Sequence, residues 1–328
     1  MPSALMFLLR RLAEALLVLL LVAALAFGLF QFVGDPVAQM LGQDASPAQR
    51  AALRASLGLD EPLPVQYLQF IAQAVQGEFG LSLRHGRPVA ELLAERLPAT
   101  LELAGAAAVL ALLIGLPLGM LAATHPQSRL LRLGMGLSLL GISLPSFMLG
   151  MLLILVFTLH LGWLPGFGRG PVPEGASSSL GSLAGWRHLL LPALTLAAFQ
   201  AALIARLVRA EMRQVLASEH IRFARARGLP AWRIHGRHAL RSALTPVITI
   251  SSLQLGSLIA FSIVTESVFQ WPGLGLLFIQ AVAYADIPVM AAYLCASALL
   301  FLGLNVLADL ACRRVDPRLR RPAGTEAA

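Results

Sequence analysis

The sequence specifies an all-α, polytopic membrane protein with about six transmembrane helices. Apolar residues make up 57% of the 328-residue chain, charged residues only 13%, and the mean hydropathy is +0.75. A soluble domain of ordinary composition carries about 25% charged residues. A chain this apolar has its helices solvated by lipid.

A spanning helix needs about 20 predominantly apolar residues. Six stretches supply them: residues 13–33, 100–123, 133–159, 189–208, 245–268 and 287–311. The first follows Arg10 and Arg11, and Ala24-Leu25-Ala26 resembles a cleavage site. Its apolar run continues to Phe32, too long for the core of a signal peptide, so it reads as an uncleaved anchor. The third stretch is long enough to tilt or to break, with Gly141 and Pro145 inside it. Between the first two, residues 34–97 are soluble in character. Ser46-Pro47 reads as a helix start and Gly58 as its stop. Over residues 64–77, Val65, Leu68, Ala72 and Val75 share one helical face. Both pieces are too short to span and are expected to pack on the outer ends of the bundle. The turn formers Pro165, Gly166, Gly168, Gly170, Pro171 and Pro173 follow the third stretch. The chain therefore divides into a first helix with its outer segment (1–97), a five-helix core (98–312) carrying a loop at 209–244, and a basic tail (313–328).

All 25 basic residues are arginine, and their placement sets the orientation. With the N-terminus cytoplasmic, eighteen arginines fall inside and seven outside, so both termini are expected in the cytoplasm. The same asymmetry accounts for the net charge of +8 without nucleic acid. A phosphate-binding loop of the GxxxxGK[ST] kind needs a lysine, and this chain has none, which excludes ATP hydrolysis by that chemistry. Cys295 and Cys312 read as small packing residues.

The bilayer middle of these spans contains no acid, arginine or histidine. Glu14, Glu102, Glu266 and Asp309 lie within a turn or two of span ends, and Glu266 and Asp286 read as solvated at the interface. A proton-coupled carrier needs a titratable group at depth, whereas a carrier coupled to another cation can use carbonyls and remains the alternative. Ser143 has no histidine at comparable depth, so an intramembrane hydrolase is disfavoured. His235 and His238 have no cysteine or carboxylate at metal-ligand spacing. Gln200, Gln254 and Asn305 are the notable polar side chains at depth. Ser251, Ser252, Gln254 and Asn305 can line a pathway or hydrogen-bond helix to helix.

Between the fourth and fifth spans the chain runs EMRQVLASEHIRFARARGLPAWRIHGRHALRSALTPVI from Glu211. Ser218 is suited to N-cap a short helix that Glu219 opens, Arg225 and Arg227 suit its negative end, Gly228 its left-handed stop, and Pro230 starts the next piece. Ile221, Ala224 and Gly228 follow helical spacing as a small-residue ridge flanked by arginines, a shape that can enter a partner's groove.

This segment resembles the conserved loop of membrane subunits of bacterial ATP-binding-cassette importers, closest to their peptide and nickel branch. Glu219 to Leu229 and His238-Ala239-Leu240-Arg241 through Thr245-Pro246-Val247-Ile248 carry the likeness. Arg222-Phe223-Ala224 stands where the general motif has Glu-Ala-Ala. In order along the chain, Gly34-Asp35-Pro36, Leu57-Gly58-Leu59-Asp60, Leu97-Pro98-Ala99-Thr100-Leu101-Glu102-Leu103, Trp271-Pro272-Gly273-Leu274-Gly275 and Asp316-Pro317-Arg318 extend it. The resemblance implies a non-catalytic permease of the bacterial inner membrane, moving peptides or a related solute such as a nickel or metal chelate. It implies a second homologous permease, two ATPase subunits that bind ATP and magnesium, and a periplasmic solute-binding protein; no cofactor in this chain; and no nucleic-acid partner. It makes Glu219, Ile221, Arg222, Ala224, Arg225, Gly228 and Leu229 the ATPase-coupling residues. From topology, the outer loop and residues 271–285 are candidate contacts for the binding protein.

Overall fold

The computed structural model describes residues 2–32, 41, 46–56, 59–172 and 178–315. Gly34-Asp35-Pro36, Leu57-Gly58, Asp316-Pro317-Arg318 and the side chains of Ser251 and Ser252 lie outside the described residues. The described chain is helical in order: α1 (Pro2–Phe32), α2 (Pro47–Ser56), α3 (Leu63–Gln76), α4 (Val89–Thr124), α5 (Arg129–Ser143), α6 (Ser146–Leu153), α7 (Leu183–Leu216), α8 (Glu219–Ala226), α9 (Leu240–Phe269), α10 (Leu274–Ala283) and α11 (Ile287–Val315). A single bridge between Leu81 and Pro88 is the strand-like pairing found among the described residues.

Four helices are long and apolar enough to cross a membrane: Ala13–Gln31, Val89–Thr124, Leu183–Leu216 and Ile287–Leu307. The third expected span is broken. α5 and the piece Ser146–His160 meet at 119°. Pro145 causes the break: it pushes Leu144 out of the helical region, to φ −91° and ψ 136°, and then starts α6 itself. The fifth expected span ends with Gln270 in the left-handed region at φ 50°, and Gly256–Phe269 meets α10 at 72°. Counting each bent pair as one crossing brings the total to six.

The chain folds as two compact units. In the unit of residues 99–271 and 303–328, α7 is the central helix, with 15 of its 34 residues buried. Three glycines let neighbours reach it. A Cβ on Gly115 would lie 2.8 Å from the Ala201 carbonyl oxygen, one on Gly119 2.5 Å from that of Ala205, and one on Gly141 2.7 Å from that of Ala198. Gly115 and Gly119 stand four apart on α4, the spacing by which small residues bring two membrane helices into backbone contact. Leu103, Leu189, Met212, Ile234 and Trp271 fill the core around this crossing. The indole N–H of Trp271 donates to the Ala99 carbonyl at 2.8 Å.

In the unit of residues 1–98 and 272–302, α3 packs on α1, but not by the expected face. Leu68 and Val75 are 64% and 82% exposed. The packed face instead carries Gln66, Tyr67 and Phe70. Tyr67 donates to the Leu20 carbonyl at 2.7 Å, Phe70 sits between Phe27 and Phe30, and Gln66 accepts from Gln31 at 2.6 Å. On α3, two aromatic rings and a bonded glutamine outweigh four aliphatic side chains. α10 lies within the stretch expected to contact the binding protein. Leu274, Gly275, Leu276, Leu277 and Ala281 are buried, with Leu277 and Ala281 against Val89, Leu92 and Val289.

Replacing Gly119 with Leu should abolish the α4–α7 contact at a cost of about 3 kcal/mol or more. Gly136→Ala, where a Cβ meets nothing within 4 Å, should raise stability by up to about 1 kcal/mol. Thermal unfolding of the detergent-purified assembly reads both.

Candidate functional site

α8 leaves the end of α7 through the turn at Ala217 and Ser218. Ser218 has N-cap backbone geometry, yet its hydroxyl turns back to the Val215 carbonyl at 2.5 Å and pairs with His220 Nδ1 at 2.9 Å. The N-cap bond expected of it is not made. The other end follows expectation: Gly228 sits at φ +73°, its N–H bonds the Arg225 carbonyl, and the Leu229 N–H bonds the Ala224 carbonyl. That pair of reversed bonds is a Schellman stop.

The expected ridge faces inward. Ile221 is fully buried and Ala224 nearly so, packed in the core that holds Val208, Met212 and Ile234. An isoleucine on a largely polar eight-residue helix gains most by covering its own chain. What α8 presents outward is Glu219, Arg222, Phe223, Arg225 and Gly228, with Glu219 and Arg222 bridged at 2.6 Å and Arg227 over the Phe223 ring at 5.7 Å. Leu229 is half-buried against the core. Phe223 is 64% exposed and Trp232, a few residues on, 69%. Trp232 went unread because an aromatic amid arginines has no periodic signature. The chain then makes a wide π-type turn, Ile234–Ala239, and enters α9. Burial, then Arg225 and His125, hold the His235 pKa below its ordinary value.

Two cavities lie in the same unit. One of ≈ 320 Å³ is walled by Ala108, Ala111, Ile204, Val247 and Leu258, with Gln200 and Gln254 as its amide side chains. The second, ≈ 220 Å³, lies at the Leu144-Pro145 break, and Gln200 and Leu258 border it too. These two side chains therefore stand between the cavities. Gln200 donates to the Gln254 carbonyl and to the Ser257 hydroxyl, both at 3.3 Å. Of the four expected pathway residues the structure brings Gln254 to a cavity. Asn305, half-exposed on α11, lines neither.

Three acid side chains are buried, and two of them, Glu266 and Asp286, were expected to be solvated. Glu266 is fully buried and accepts from Thr100 at 2.8 Å. Asp286 is 1% exposed and accepts from the Ser82 hydroxyl at 2.5 Å and from the backbone N–H groups of Leu83 and Arg84. Glu102 accepts from Arg169 at 2.7 Å and from both the backbone N–H and the hydroxyl of Ser179, stapling the connection between α6 and α7 to α4. Burying a carboxylate demands such partners, and Asp286 and Glu102 each have several.

A broken-helix bundle with an amide-lined cavity and a capped surface hairpin is the architecture of a membrane transport subunit. The chain matches the family described as "Binding-protein-dependent transport system inner membrane component" over residues 115–321 and its N-terminal region, "Binding-prot-dependent transport system membrane comp, N-term", over residues 4–104. It belongs to this family: it is the permease subunit of an ATP-binding-cassette importer, a multi-pass protein of the bacterial inner membrane. It is 39% identical over 315 residues to the glutathione transport system permease protein GsiC of Salmonella paratyphi A, covering 96% of this chain and 98% of that one. The Escherichia coli protein of the same name is also 39% identical over 315 residues, with the same coverage. Among solved structures, inward-facing crystal forms of the MetNI methionine ABC transporter share the fold, with TM-scores of 0.55 and 0.54 at 21% and 22% identity. Each covers 69% of this chain and 96% of that chain. Membership decides between the ATP-driven importer and the cation-coupled carrier in favour of the importer. ATP is hydrolysed by separate subunits, and a solute-binding protein and a second permease complete such a system.

Removing either Glu102 or Arg169 leaves the other charge buried, so Glu102→Ala and Arg169→Ala should each cost about 3–5 kcal/mol. The double variant should cost clearly less than their sum, as a double-mutant cycle of unfolding midpoints would show.

Proposed function

We propose that this permease imports a short peptide-like solute, with glutathione the first candidate, and that α8 with the turn after it is where the ATPase subunits push. The solute reading is supported by the relatives, which are permeases of glutathione transport systems. It is also supported by the cavity chemistry. Gln200 and Gln254 offer amide donors and acceptors of the kind that pair with peptide bonds, among apolar walls. The solute would pass between the two cavities as Gln200 and Leu258 part.

One observation carries the coupling reading: Ile221 and Ala224 lock α8 to the core while Phe223, Arg222 and Arg225 are held out to solvent. Exposed aromatics with arginines beside them are the anchors that protein interfaces favour. Glu219, Arg222, Arg225 and Phe223 would make the contact, with Trp232 as a second anchor, while Ile221, Ala224, Gly228 and Leu229 would position it. The arginine asymmetry supports a cytoplasmic position for this hairpin and both termini. ATP and magnesium would be held by the ATPase subunits, none of it by this chain. The partners would be a second homologous permease, two ATPase subunits and a periplasmic binding protein presenting the solute to the opposite face.

Phe223→Ala should weaken ATPase association by about 2 kcal/mol, near thirtyfold, and abolish uptake while the permease still inserts. Unchanged uptake and co-purification in that variant would refute the docking role. Gly228→Val strains a left-handed residue by about 1–2 kcal/mol and should cut uptake, whereas Gly228→Asn should keep it. In proteoliposomes of the full transporter, radiolabelled glutathione should accumulate only with ATP and binding protein. Accumulation of dipeptides but not glutathione would reassign the solute without touching the coupling.

A further inference from the structure

Helix α3 turns its aliphatic side outward, and its contacts fix the height at which it does so. Tyr67 bonds the Leu20 carbonyl, and Leu20 lies near the middle of the Ala13–Gln31 crossing, about 16 Å from Gln31 at 1.5 Å per residue. Phe70 packs against the cluster of Ala26, Ala291 and Cys295, the last about 12 Å into the Ile287–Leu307 crossing. Two crossing helices thus hold α3 beside their apolar stretches, not above them.

Composition agrees with that height. Leu63–Gln76 carries no charge, while Glu61 before it and Glu78 after it are exposed carboxylates. Val65, Leu68, Ala72 and Val75 follow at intervals of three and four, on the side away from Gln66, Tyr67 and Phe70. All four are exposed. Over the same height α1 leaves Leu21 and Leu25 exposed as well. In water such a face is a liability, but beside the middle of a crossing the medium is hydrocarbon.

We infer that α3 is seated in the bilayer leaflet at the Gln31 end of α1, with Val65, Leu68, Ala72 and Val75 against lipid acyl chains. The arginine asymmetry makes this the outer leaflet. A helix lying on a membrane surface turns its polar side to water. α3 instead turns its glutamine and aromatic side to protein and its aliphatic side to lipid. That face is thereby withdrawn from the surface open to a solute-binding protein.

The test places nitroxide labels on the assembled transporter in phospholipid vesicles, in a background of Cys295→Ala and Cys312→Ala. Oxygen concentrates among acyl chains and chromium oxalate stays in water, so their collision rates with the label distinguish the two media. Labels at Leu68→Cys and Val75→Cys should collide more with oxygen than with oxalate, as should Leu25→Cys on α1. Glu61→Cys should show the opposite order. Oxalate dominating at positions 68 and 75 puts the face in water and overturns the inference. If binding protein then suppresses that signal, the face belongs to that partner instead. Low rates for both reagents mean that protein covers the face, a second permease for instance, and overturn the inference equally. A second measurement keeps the native cysteines. Leu68→Asp with Val75→Asp should lower the unfolding midpoint in lipid nanodiscs by about 4 °C or more. Leu68→Asn with Val75→Asn, alike in helix propensity but uncharged, should lose clearly less. An unchanged midpoint in the aspartate pair, or an equal loss in both pairs, overturns the seating in lipid.

Discussion

The fold depends on how closely α4 and α5 approach α7. At Gly115, Gly119 and Gly141 the neighbouring backbone of α7 stands where a Cβ would have to go. Lipid offers no hydrophobic drive for helices to associate, so close van der Waals contact along small-residue seams does that work. With α7 seated this way, its length positions everything of functional interest in that unit. Gln200 reaches the cavities from its middle, and α8 continues from its last turn.

Charge is handled by a second rule. The described spans keep ionisable groups out of their middles and spend them at their ends, where Glu102, Glu266 and Asp286 are bonded to other parts of the chain. Each of these carboxylates closes a connection between distant segments rather than facing water.

Hydropathy and single-residue chemistry made the spans legible, along with the break at Pro145 and the left-handed stop at Gly228. These are local properties: an apolar run, a missing N–H, a residue without a Cβ. What could not be read was which side of an amphipathic piece turns inward. The Val65–Leu68–Ala72–Val75 stripe and the Ile221–Ala224 ridge were recognisable as faces. Their direction was settled by partners elsewhere, Phe27 and Phe30 for α3 and Met212 with Ile234 for α8. The buried acids were hidden for the same reason. Thr100 lies 166 positions from Glu266 and Ser82 lies 204 from Asp286, separations at which no local pattern records a contact. Gln200 was visible as polar at depth, but its place between two cavities is a property of three helices together.

The inward seating of Ile221 bears on stiffness. With that side chain wedged beside Val208 and Met212, and the far end tied off at Gly228, α8 has little slack against the long helix it follows. On the proposed coupling role, a force arriving at Phe223 would tilt α7, the helix that carries Gln200, rather than deform a loop.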